Sequence, residues 1–154
     1  MDRTIHVAEP VSLPKVDFAQ VKCLATGIFF EAGSESHAGQ TAVARVIMNR
    51  VRHGFASTPC KVVYQTHTVQ RDNERFKLCQ FSWVCDNKTK PNERDPRFMQ
   101  AMDIAYKVIA FDAYKDVLPR SALFFHATSV DPNWPYRKLK QIGNHIFYAK
   151  GNTK

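Results

Sequence analysis

One carboxylate stands where a charge is costly. Glu31 follows Ile28, Phe29 and Phe30 in the stretch GIFFEAGSES, and Glu35 comes four residues later. A carboxyl at the end of a helix meets the negative end of the macrodipole, and apolar neighbours strip its water. Both effects disfavour ionisation and raise the pKa. A general acid working near neutral pH needs this, above all one that protonates the leaving oxygen of a glycoside. Glu35 has three open roles: orienting Glu31, serving as a second catalytic carboxylate, or capping the helix that follows.

A second candidate group is CQFSW at 79–83, which sets Gln80, Phe81, Ser82 and Trp83 as an apolar island in a polar stretch. Aromatic faces stack on sugar rings, while amides and hydroxyls bond sugar hydroxyls and N-acetyl groups; the same island could equally plug and anchor a long loop. His126 follows the apolar LFF, as a candidate ligand-facing or core histidine. His145 and Tyr148 share one expected strand at odd spacing, so they point to opposite faces.

The four cysteines, Cys23, Cys60, Cys79 and Cys85, form no CxxC pair, which argues against a zinc ribbon or a dithiol redox site. Buried thiols and a disulfide among Cys60, Cys79 and Cys85 are the main readings. A zinc site from Cys79, Cys85, His126 and His145 is a distant one. No HExxH, P-loop, GxSxG or dinucleotide fingerprint occurs, so no metal or cofactor is expected.

These residues need elements to hold them. Asp17 reads as an N-cap with Gln20 completing a capping box. Val21, Leu24, Ala25, Ile28, Phe29 and Ala32 then form one helical stripe that Gly33 ends. A second helix is predicted from Ser36 or His37 to Gly54, burying Ala42, Val43, Val46, Ile47 and Val51. Thr58-Pro59 opens a short helix through CKVVYQ, and Asp95-Pro96 opens a third stripe over Phe98, Met102, Ala105, Val108 and Ile109. Residues 66–95 read as polar and irregular. ALFFHATSV is predicted to be extended, and RKLKQIGNHIFYAK is predicted to form a hairpin about a type II′ turn at Gly143-Asn144. Residues 1–16 read as an arm or linker, and 17–154 as one mainly helical α+β domain.

The chain has 154 residues, 44% hydrophobic, with a formal charge of +8. That size supports one core, and the charge points to an anionic partner such as an envelope polymer. Lys and Arg are scattered without a nucleic-acid reader motif, so no nucleic-acid role is expected. No run is long enough to span a membrane, and the N-terminus lacks the apolar stretch of a signal peptide. Stable membrane insertion is therefore not expected.

Six segments in order resemble the SleB-type cell-wall hydrolases: CLATGIFFEAGSES (23–36), GQTAVARVIMNRV (39–51), VVYQ (62–65), CQFSW (79–83), FHA (125–127) and IGNHIFY (142–148). The resemblance implies a compact, mostly helical fold related to goose-type lysozymes and lytic transglycosylases, with a small β-hairpin near the C-terminus. It implies cleavage of bacterial peptidoglycan between N-acetylmuramic acid and N-acetylglucosamine, with Glu31 as catalytic acid and Glu35 secondary. Gln80, Phe81, Ser82, Trp83, His126, Asn144 and Tyr148 are the expected substrate-binding residues. One departure is the pair Gly33-Ser34, where the family usually carries arginine-glycine, which leaves the role of Glu35 open. The rival expectations are a water-using muramidase and a non-catalytic wall- or nucleic-acid-binding module. A monomer acting in the cell wall or periplasm, as a phage endolysin or a remodelling enzyme, completes the reading. A phage enzyme would wait in the host cytoplasm for holin-type release.

Overall fold

The computed structural model describes residues 13–88 and 90–151. Three helices build the frame: α1 (Phe18–Ala32), α2 (His37–Arg52) and α5 (Pro96–Phe111), with the short α3 (Pro59–Val63) and α4 (Ser82–Cys85) between them. Two sheets complete it. One is a hairpin of β1 (Thr66–Arg71) and β2 (Glu74–Cys79); the other is antiparallel, in the order β3 (Ala122–Ala127), β5 (His145–Ala149), β4 (Arg137–Ile142). Most of the expected arm, residues 1–12, lies outside the described residues.

The helix starts follow local chemistry. Ser36 accepts a hydrogen bond from Gly39 N, Thr58 from Lys61 N and Asp95 from Arg97 N, each satisfying a donor that the first turn leaves free. Asp17 caps α1, but the predicted capping box does not form. Asp17 accepts from Ala19 N, and Gln20 turns outward to accept from Cys60 N at 2.9 Å. A tertiary bond to α3 has outcompeted the local one.

Val21, Leu24, Ala25 and Ile28 of α1 pack with Val43, Val46 and Ile47 of α2 and Ile104 and Ala105 of α5, all with no exposed surface. Gly27 permits close approach: a Cβ there would stand 3.2 Å from Ile47 Cδ1 and 3.3 Å from Val63 Cγ2. Phe147 of β5 closes the core from the sheet side.

Two expectations need correction and one is extended. Residues 66–79 are a regular hairpin, turned by Asp72 and Asn73 at positive φ of 50° and 65°. Its strands are exposed on both sides apart from Val69 and Cys79, so no hydrophobic alternation marked them. The C-terminal hairpin gains a third strand, because β3 pairs with the far edge of β5. Finally, the cysteines pair as Cys23–Cys60 and Cys79–Cys85, leaving none free. The zinc set fails with this, since Cys79 and Cys85 are bonded to each other. His126 and His145 also lie on opposite faces of the sheet, because Ala127, not His126, pairs with His145.

Candidate active site

Glu31 sits in the last turn of α1, where the helix end meets α2 and the three-stranded sheet. Two depressions adjoin there, and Glu31 lines both. One, of about 330 Å³, runs along Phe29, Phe30 and the 33–35 turn to Arg97, Ala127, Asn144 and His145. The other, of about 300 Å³, is walled by Arg50, Gln80, Phe81, Phe124, Phe125, Trp134 and Tyr136. The carboxyl thus stands at the junction of the two depressions.

Burial pushes the Glu31 carboxyl up to about 7, against the opposing pull of the Arg50 guanidinium. Aromatic rings explain the dryness. Phe30 stacks on Trp83 with centroids 4.7 Å apart and meets Phe29 edge-on at 5.1 Å. Trp83 is 5% exposed and serves this wall from behind. Phe81 packs against Phe125 and Trp83, so the Cys79–Cys85 bridge encloses an arc whose side chains build the second depression.

Glu35 is differently placed. Its Oε1 accepts from Asn144 N at 2.7 Å and its Oε2 from Asn144 Nδ2 at 3.1 Å. The backbone bond from Asn144 is the main reason its carboxyl is held below the usual range. Gly143, at φ +56°, makes room: a Cβ there would lie 2.6 Å from Glu35 Oε1. His145 Nδ1 lies 3.8 Å from the same oxygen, and burial pushes this imidazole down. Glu35 therefore ties the turn after α1 to the β4–β5 turn.

Replacing Glu35 with Gln should cost about 1–2 kcal/mol, because an amide hydrogen would confront one of the two Asn144 donors. Urea melts of the variant check this. Because the native pKa is lowered, the clamp acts fully above the ordinary carboxylate pKa and is lost as pH falls through the native value. The stability gap between the two proteins should accordingly narrow in acid; a gap that widens there would reject the clamp.

The expected substrate-binding residues divide. Gln80, Phe81 and Asn144 line the depressions beside Glu31. Ser82 is exposed on α4 outside both, and Trp83 is behind the wall. His126 and Tyr148 meet on the sheet face opposite His145, Nε2 to Oη at 2.7 Å, and line neither depression themselves, although Trp134 of the second packs against both. The structure adds Arg50, Arg97, Trp134 and Tyr136 to the site, and of the strand pair it is His145, not Tyr148, that lines a depression. Trp134 and Tyr136 sit in an irregular segment with no periodic pattern. Arg50 lies in the family-like segment GQTAVARVIMNRV, but nothing in that segment gave it a role of its own.

Comparison with known proteins agrees with the geometry. The family described as Cell Wall Hydrolase matches residues 34–148. Among solved structures, the catalytic domain of the germination-specific lytic transglycosylase SleB from Bacillus anthracis is similar, with a TM-score of 0.62 and 23% identity, covering 86% of this chain and 96% of that one. The catalytic domain of the Bacillus cereus SleB protein gives 0.57 and 24%, covering 87% and 92%. These likenesses establish the shared α+β fold. No curated protein matches.

Proposed function

The chain belongs to the cell wall hydrolase family and is an enzyme that degrades peptidoglycan, and we propose that it does so as a lytic transglycosylase with Glu31 as acid and base. The observation that carries this reading is a buried carboxyl, pushed up to about 7, at the junction of two depressions, with Glu35 bonded to Asn144. The matched span opens at Ser34, so the assignment of Glu31 rests on its surroundings.

The chemistry needs only one such group. The Glu31 carboxyl gives its proton to the oxygen linking N-acetylmuramic acid to N-acetylglucosamine as the C1–O bond breaks. The C6 hydroxyl of the muramyl residue bonds to C1, and its proton returns to Glu31. The product carries a 1,6-anhydro ring, and no water is consumed. A hydrolase that inverts would need a second carboxylate to activate water, and Glu35 already accepts a bond from Asn144 on each of its oxygens. Trp134 and Tyr136, on one side of Glu31, offer aromatic faces for sugar rings. The charge of +8 favours approach to anionic envelope polymers.

Mass spectrometry of the soluble products from purified peptidoglycan tests the reading. Muropeptides ending in 1,6-anhydro-N-acetylmuramic acid are expected. Products heavier by one water, with a reducing end, would make the protein a muramidase and reopen the role of Glu35. A well-folded protein that binds the wall without releasing glycan would overturn the assignment of Glu31.

A further inference from the structure

Two arginines of α2 are buried, and their surroundings differ. Arg45, 2% exposed, donates through Nη1 to Asp112 Oδ1 at 2.7 Å, so its charge has a half-buried carboxylate partner. Arg50, 3% exposed, has no carboxylate within ion-pair distance among the described residues. Its Nε donates to Leu123 O at 2.7 Å, and its Nη1 is buried without a partner. The rings of Phe55, Phe81 and Phe124 surround the guanidinium, with centroids 5.8, 5.5 and 5.8 Å from Cζ. Cation–π contact offsets part of the burial cost, but a buried cation without a counter-charge remains expensive. Such an expense calls for a use.

The carboxyl that shares its cavity is Glu31. We propose that Arg50 is the fixed counter-charge of Glu31, a positioning residue that stabilises the carboxylate formed as Glu31 delivers its proton. This rests on the acid–base role given to Glu31 above. While Glu31 is protonated, Arg50 has no ionic partner. As the proton moves to the leaving oxygen, negative charge grows on Glu31 inside a dry aromatic box, where attraction is stronger than in water. The gain appears on the way to the transition state, so it lowers the barrier rather than tightening binding. The Leu123 bond and the rings hold the guanidinium still, so little reorganisation is needed. When Glu31 recovers a proton from the C6 hydroxyl, the pair dissolves.

Other polar groups around Glu31 are less suited. Glu35, from the turn after α1, is an anion occupied by Asn144. Arg97 of α5 has a side chain 56% exposed and bound to Asp95. Burial favours the neutral form of His145 of β5, and Tyr136 brings only a hydroxyl to the cavity.

Two variants decide the matter, Arg50→Lys and Arg50→Gln, each read by kcat and KM on purified peptidoglycan across pH. Both are also read by an NMR pH titration of the Glu31 carboxyl carbon. Arg50→Gln should lower kcat about 10²-fold with little change in KM. It should also move the alkaline limb, and the Glu31 titration, up by about one pH unit. Arg50→Lys keeps the charge and should restore much of the rate and return the limb toward wild type. A folded Arg50→Gln protein with wild-type titration and limb would overturn the proposal. So would a rate loss matching only a loss of folded protein. If the wild type releases no glycan product, the transglycosylase reading fails, while the NMR titration still decides whether Arg50 and Glu31 are coupled.

Discussion

Glu31→Gln should lower glycan release by at least about 10³-fold while the protein stays folded. The amide fills the same space but cannot give up an acidic proton. The wild-type rate should fall as pH rises through about 7, because Glu31 must start protonated. The same variant should change stability in the opposite direction. The native pKa of Glu31 lies above its unfolded value of 4.5, so the native state holds the proton more tightly. Stability is therefore complete below pH 4.5 and is eroded between there and about 7. The substitution removes that erosion, which is on the order of 3 kcal/mol at pH 8 and vanishes near pH 4. Urea denaturation at both pH values, beside turnover, tests the pair of effects. A variant that is inactive and destabilised at both would be explained by misfolding, and a fully active one would remove Glu31 from the chemistry.

The raised pKa of Glu31 was foreseeable from GIFFEAG because part of its cause is local. A helical stripe, a stop at Gly33 and three apolar neighbours set the position of Glu31, while Phe81, Trp83 and the β3 aromatics complete its burial from elsewhere in the chain. Helix starts were legible for the same reason: Ser36, Thr58 and Asp95 act within one turn of themselves. What escaped was non-local. The β1–β2 hairpin has no buried face to impose alternation, so its Thr, Lys and Arg residues read as loop. The partner of Gln20 is Cys60, and the partner of Glu35 is Asn144, 109 positions away. No spacing rule reaches that far. The resemblance between IGNHIFY and its family marked Asn144 as worth attention but gave no reason for it; the reason is the carboxylate of Glu35. Arg50 is another case, because two of the rings around it, Phe81 and Phe124, come from far along the chain.

Removing the two disulfides should separate stability from activity. Cys23–Cys60 joins α1 to α3 across 37 positions, and Cys79–Cys85 closes a separation of 6. Loop-closure entropy assigns the first about 4 kcal/mol and the second about 2 kcal/mol. Paired substitution of Cys23 and Cys60 by Ser should therefore cost more in urea melts. Turnover should rank the other way once each variant is measured under conditions where it is folded. Cys79 and Cys85 bracket Gln80, Phe81 and Trp83, and this arc walls the second depression and backs Phe30. Freeing it should admit water beside Glu31, lower its pKa and reduce kcat about tenfold or more. Loss of the Cys23–Cys60 bond touches no residue of either depression and should leave kcat within about twofold of wild type. Equal kcat losses in the two folded variants, or none in the Cys79/Cys85 variant, would show that the bridge does not hold the wall. The expected ranking has a consequence for where the enzyme works. A reducing cytoplasm opposes both bonds, so a chain waiting there would have an unset cleft as well as a weakened fold. Oxidation at the wall would complete both.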